Sequence, residues 1–514
     1  MNATNPLYQL LTARWPVNAN HPAIETPSGT RLTYAELDDA VARHAGLIRD
    51  LGVQPGERIA VQVEKSSDAL VLYLACVKAG VVYLPLNSAY QEHEVDYFLG
   101  DAKPVAFVHQ AKSTEWATRV CETYGVRHRF EMGSEGEAEK HQILRASWAE
   151  NASNAAPMLD FVPRSPDDLA AILYTSGTTG RSKGAMLTQR NLASNAETLH
   201  QYWGFKPDDV LLHTLPLFHV HGLFVACHTA LINASTLLFH AKFDAARAVA
   251  DLKRATVFMG VPTMYVRLLA EPTFDAALCE HVRLFVSGSA PLLAETFNEF
   301  KSRTGHTILE RYGMTETGMI TSNPLQGERI AGTVGLPLPD VNVRVVDDEG
   351  NACACDDIGH IQVKGPNVLP GYWQMPEKNK EEFTADGFFK TGDVGKIDTK
   401  GYVTIVGRSK DLVITGGYNV YPKEIELLLD EFPGVLESAV IGLPHPDFGE
   451  AVTAVVVPKT GAELDEGAII AAMKAKLAAF KVPKRVFVVN ELPRNAMGKV
   501  QKGELRKRYS AASA

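Results

Sequence analysis

The densest chemistry in this 514-residue sequence lies at residues 174–184, YTSGTTGRSKG, directly after the apolar run 169–173. Gly177, Gly180 and Gly184 let the backbone turn tightly and aim its N–H groups into one concavity. Thr175, Ser176, Thr178 and Thr179 add hydroxyl donors, and Lys183 adds a mobile cation. A loop of this kind is built to hold phosphate oxygens. It departs from the Walker pattern, which needs a glycine directly before the lysine, where Ser182 stands. A Ser/Thr-rich turn without a ligand is the plainer alternative.

Further chemistry is scattered along the chain. Glu316, between Thr315 and Thr317, offers the hard oxygen that Mg2+ prefers. The small residues of SGSAPL (287–292), among them Ser289, Ala290 and Pro291, leave room for a flat ring against backbone, and Tyr312 supplies a ring to stack on it. Asp393 follows a glycine and could accept hydrogen bonds from two neighbouring hydroxyls; its plainer reading is a turn-forming aspartate. His219 and His221 are two apart, so on a strand they share a face. No further metal ligands accompany them, and a satisfied packing role suits His221. Cys353 and Cys355 lack a second ligand pair at zinc spacing, so the six cysteines read as reduced thiols.

The elements that must position these residues alternate between helix and strand for about 400 residues. Residues 33–51 carry a capping box (Thr33, Glu36), an apolar stripe (Leu37, Val41, Ile48, Leu51) and a terminating Gly52. A strand-like run, 58–63, follows. Residues 70–86 read as a buried helix leading into a strand, because Lys78, Gly80 and Pro85 break the run that a membrane span would need. Residues 133–165, polar and Ala-rich, read as a surface excursion. From about Gly332 short strands separated by glycines predict a small β-rich subdomain. Beyond residues 407–411, a helix (422–429), strands (435–442 and 451–458) and a second helix (466–479) predict an α+β tail. The expected class is α/β, with a large parallel-rich N-terminal domain, 1–409, and a small C-terminal domain, 410–514.

Hydrophobic residues make up 46% and charged residues 22%, the balance of a soluble globular protein. The net charge of −9 argues against a polyanion partner such as nucleic acid. The start, MNATNPLYQLL, has no basic region, long apolar stretch or cleavage signal, so a cytoplasmic protein is expected.

The 174–184 loop resembles that of the adenylate-forming superfamily: acyl-CoA synthetases, luciferases and peptide-synthetase adenylation domains. The resemblance continues in order through LPLFHVHGL (215–223), SGSAPL, RYGMTET (311–317), TGD (391–393), GRSKDLVITGGYNVYPKEIE (407–426) and PRNAMGK (493–499). It implies ATP, Mg2+ and coenzyme A as reactants. It also implies an adenine and metal site around Ser289, Ala290, Pro291, Tyr312, Gly313, Met314, Thr315 and Glu316, with Thr175 as a second metal ligand. Asp393 and Arg408 would hold the ribose. Lys183 would act on the phosphates, and Lys499 on the α-phosphate and attacking carboxylate. In such enzymes the C-terminal domain is mobile, with Lys410 at the hinge, and exchanges Lys499 for a coenzyme A loop at Gly416, Gly417 and Tyr418.

The implied acyl pocket lies near His219, Ser289 and Arg311. A guanidinium there favours a second carboxylate over an alkyl chain; pairing with Glu310 or another acidic residue is the plainer alternative. FHVHGL, SGSAPL and RYGMTET together resemble malonyl-CoA synthetases, which take malonate and sometimes methylmalonate. A ligase for an aryl, medium-chain or other dicarboxylic acid, a module that loads a carrier protein, and a homologue that only binds nucleotide stay open. PRNAMGK also resembles lysine-acetylation sites, which implies an acetyltransferase and a deacetylase acting on Lys499.

Overall fold

The computed structural model describes residues 4–133, 147–175, 182–415, 418–445 and 448–510. The chain packs as two compact units: residues 1–342 with 364–383, and residues 343–363 with 384–514. The boundary expected at Lys410 falls inside the second unit.

Two sheets organise the first unit. The larger has nine strands, of which six neighbours run parallel: Leu309–Met314, Leu284–Ser287, Val257–Gly260, Val210–His213, Thr236–Phe239 and Pro22–Glu25. Short antiparallel strands close both edges. The second sheet has six strands and is parallel except for the edge pair Leu169–Thr175 and Lys183–Thr188. This is the expected α/β class. In the larger sheet Met259 stands opposite His213, Gly260 opposite Ser287, and Ser287 opposite Glu310. The strands Thr236–Phe239, Val210–His213, Val257–Gly260 and Leu284–Ser287 therefore end nearly level, with Leu309–Met314 running on past them, at the edge where open α/β sheets hold ligands.

Local signals explain the helices. Thr33 and Glu36 form the expected capping box on the helix Tyr34–Asp50. The apolar run beyond it forms the helix Ser67–Lys78 and the strand Val82–Pro85, both buried. Among the described residues no helix is long and apolar enough to cross a membrane. The expected surface excursion is corrected in part. Residues 134–146 lie outside the described set, but Trp148–Asn154 is a helix that packs on Tyr34–Asp50. Trp148 is fully buried, and its indole N–H donates to His44 Nδ1 at 3.1 Å. One large aromatic residue outweighs the polar composition around it.

The second unit holds two further sheets. Four strands, Asn342–Val346, Gly359–Lys364, Phe389–Ile397 and Val403–Arg408, the last three antiparallel, form the expected β-rich part. A five-stranded sheet centred on Val435–His445 and Gly449–Pro458 follows, with helices Pro422–Asp430 and Glu466–Lys476 beside it. The latter helix ends three residues short of the expected 479.

Candidate active site

In the first unit Thr175 ends one strand, Lys183 begins the next, and the two stand opposite each other. Ser176, Gly177, Thr178, Thr179 and Gly180 lie outside the described residues. The Thr175 hydroxyl donates to Glu316 Oε1 at 3.3 Å, and the Tyr372 hydroxyl donates to the same oxygen at 3.0 Å. Lys183 Nζ pairs with Glu382 at 3.2 Å and sits 4.0 Å from the centre of the Tyr372 ring. The structure thus joins three expected residues, Thr175, Lys183 and Glu316. It adds two that the sequence reading missed, Tyr372 and Glu382, which come from a distant segment with no motif to mark them.

Glu316 is buried, and with Thr175 it offers a carboxylate and a hydroxyl. Among the described residues no cluster of three or more His, Cys, Asp or Glu side chains could hold a metal. One carboxylate and one hydroxyl fit Mg2+, which keeps several waters and takes its remaining oxygens from substrate phosphates.

Arg311, the third residue of the strand Leu309–Met314 in the larger sheet, is 3% exposed. Its guanidinium rests on the backbone of Gly288, where an added Cβ would fall 2.4 Å from Arg311 Cζ. A side chain there would have to displace the guanidinium. Arg311 Nε and Nη2 are buried without a hydrogen-bond partner among the described residues. Arg311 Nε and Nη2 thus do not bond Glu310, whose Oε1 accepts the Leu292 N–H. Burial lowers the guanidinium to about 9, well below an ordinary arginine. Buried cationic donors without a protein partner are of the kind that can take an anion.

Ser289 and two histidines line the same place. Ser289 adopts a left-handed backbone, φ 71°, unusual for a residue with a side chain. Its Oγ lies 3.2 Å from His221 Nδ1. His219 and His221 do not share a strand face. His219 sits in a bend, and His221 opens a π-helical segment, His221–Cys227. The expected packing role for His221 is also corrected: its Nε2 is buried without a partner among the described residues. Burial, and then the Arg311 charge, lower His219 to about 4 and hold His221 well below the usual range, so both rings are neutral. Tyr312, Gly313, Met314 and Thr315 run half-buried from Arg311 to Glu316 and link the two clusters along the chain.

In the second unit Asp393 and Arg408 face each other across adjacent strands, with Arg408 Nε 2.6 Å from Asp393 Oδ1. Asp393 is buried within a strand, so the turn-former reading fails. Lys499 lies beside this pair, in a turn organised by Asn495, whose Oδ1 accepts the Lys499 N–H at 3.0 Å. Loss of water, and then the charges of Arg408 and Lys410, lower the Lys499 ammonium to about 8, with Asp393 and Asp411 opposing. Lys499 keeps exposed surface, so the charge effect is the firmer of the two causes. Lys410 is exposed in the short turn Ser409–Asp411. Gly416 and Gly417 lie outside the described residues. The exposed Tyr418 ring stacks on Phe480 at 4.5 Å.

Residues 11–373 match the AMP-binding enzyme family, and residues 424–499 match the AMP-binding enzyme C-terminal domain. The chain belongs to the AMP-binding enzyme family. It is an acyl-CoA synthetase of the adenylate-forming superfamily, with ATP as a substrate. It is similar to the ATP-bound crystal structure of MatB from Rhodopseudomonas palustris, with 51% identity, all of both chains covered and a TM-score of 0.95. It is also 37% identical to the malonate–CoA ligase of Arabidopsis thaliana, over 89% of this chain and 78% of that one. A feruloyl-CoA synthase from Amycolatopsis is 35% identical over 96% of this chain and 98% of its own. The synthetase is thus placed by family, while its relatives take different acids.

Proposed function

We propose that this synthetase joins malonate to coenzyme A through a malonyl-adenylate. The carrying observation is Arg311, a buried guanidinium with two donors that no protein group takes up and no protein carboxylate paired to it among the described residues. Malonate brings one carboxylate to react and one to lie against that cation. The neutral His219 and His221 rings and the Ser289 hydroxyl then serve as hydrogen-bonding neighbours that add no opposing charge. The similarity to MatB and to the Arabidopsis malonate–CoA ligase supports the same reading.

In the first step the free carboxylate attacks the α-phosphorus of ATP and pyrophosphate leaves. In the second the thiol of coenzyme A attacks the acyl carbon and AMP leaves. Lys183 exchanges its pairing with Glu382 for phosphate oxygens. Thr175 and Glu316 would hold Mg2+, which when bound offsets phosphate charge and orients the chain of phosphates. Asp393 and Arg408 take the ribose, and Tyr312 the adenine. Lys499 supplies positive charge as negative charge builds on the reacting atoms. Gly416, Gly417 and Tyr418 serve coenzyme A, with Lys410 as the pivot between the steps.

A panel of acids, assayed for pyrophosphate release with and without coenzyme A, tests this. Malonate should give the highest kcat/KM, with thioester formed only when coenzyme A is present. Faster turnover of an aryl or simple alkanoic acid would refute the malonate assignment.

A further inference from the structure

Lys65 lies between the strand Arg58–Gln62 and the helix Ser67–Lys78, both of which belong to the region of the six-stranded sheet. Its side chain is buried and reaches across to the nine-stranded sheet. There Nζ lies 2.6 Å from His213 Nδ1, donates to the His213 carbonyl at 2.8 Å, and sits 4.1 Å from the centre of the Phe239 ring. An ammonium can only donate, so His213 Nδ1 must accept and the ring proton must sit on Nε2. That N–H points at the Gly222 carbonyl, 2.8 Å away. Lys65 thereby fixes the tautomer of a histidine whose other nitrogen holds the backbone of the next segment.

Gly222 is the centre of that segment. It packs so tightly that an added Cβ would lie 2.0 Å from the Pro216 carbonyl oxygen. One residue earlier stands His221, whose N–H donates to His219 Nδ1 at 3.2 Å, and the Leu223 N–H donates to the His219 carbonyl at 3.0 Å. The π-helical segment His221–Cys227 starts here. Such segments are locally costly and recur where a side chain must be aimed.

We propose that Lys65 is a positioning residue for the acyl subsite. Acting through His213 and the Gly222 carbonyl, it holds the 219–223 turn so that His219 and His221 meet Arg311 and Ser289. The proposal rests on the reading of Arg311 as the acid-binding cation, and it deepens that reading by naming what keeps the neighbouring rings in place.

The test uses the full-length protein and three variants: Lys65→Met, His213→Gln and His213→Phe. KM for the acid that the wild type prefers, KM for ATP, kcat and the melting midpoint are measured for each. A small displacement of positioning groups costs up to roughly 100-fold. Lys65→Met should therefore raise KM for the acid by roughly 10-fold or more and leave KM for ATP where it was. His213→Gln keeps an N–H near the Gly222 carbonyl and should retain acid affinity much better than His213→Phe. An unchanged KM for the acid, an equal rise in both KM values, or equal behaviour of the Gln and Phe variants would overturn the proposal. If Lys65→Met does not fold, the His213 pair decides alone. A wild type that prefers a monocarboxylate would remove the dicarboxylate reading of Arg311, yet the same KM comparison made on that acid would still decide the role of Lys65.

Discussion

Arg311 and Lys499 are both cations shifted away from their ordinary state, and each shift has a functional reading. Arg311 has lost water without gaining a carboxylate partner among the described residues. A bound carboxylate restores that balance, so truncating the cation should strip about 2–5 kcal/mol from the binding of an acid that carries a second carboxylate. In Arg311→Leu the kcat/KM for malonate should fall by about 30-fold or more. Butyrate should lose far less, and equal losses on the two acids would end this account of Arg311. Lys499, lowered to about 8, is charged below that pH and loses its charge as pH rises through it. The adenylation rate should therefore decline on the alkaline side near pH 8, whereas conversion of preformed acyl-adenylate to thioester should lack that decline. Lys499→Ala should lose adenylation by about 100-fold or more and keep the second half-reaction. An equal loss in both halves would contradict the role.

Elements decide whether these side chains arrive. The strand Leu284–Ser287 delivers Gly288 and the strained Ser289 to the face of Arg311, and the absence of a side chain at 288 is what admits the guanidinium. Gly288→Ala should reproduce much of the selectivity loss of Arg311→Leu while leaving the arginine in place, read as the malonate-to-butyrate ratio of kcat/KM. A variant that keeps the wild-type ratio would show that the close approach does not matter. The same elements show what a sequence can reveal. The capping box at Thr33 and Glu36 and the buried run beyond it were legible because cap, stripe and terminator are local signals. The helix at Trp148 was not, because only tertiary packing shows that one indole outweighs its polar neighbours. Arg311 and Ser289 could be placed from a motif. His221 could not, because its role depends on a π-helical start and an unpartnered ring nitrogen that no spacing encodes. Tyr372 and Glu382 reach Glu316 and Lys183 from another part of the chain, so their role too emerges only on folding.

At the scale of the whole molecule, the second unit carries a compact group of charges, Asp393, Arg408, Lys410 and Lys499, within which Lys410 is the exposed member of a short turn. If that turn is the pivot between half-reactions, fixing its backbone should separate them. Lys410→Pro should still release pyrophosphate with malonate and ATP but form thioester slowly; normal thioester formation would count against a pivot there. The central claim concerns what the whole protein makes, and its family includes enzymes for quite different acids. The most direct measurement is a competition: the enzyme, ATP, Mg2+ and coenzyme A with malonate, butyrate and ferulate at equal concentration, and the thioesters resolved by mass spectrometry at early times. The account predicts that malonyl-CoA dominates. Dominance of butyryl-CoA or feruloyl-CoA would contradict it.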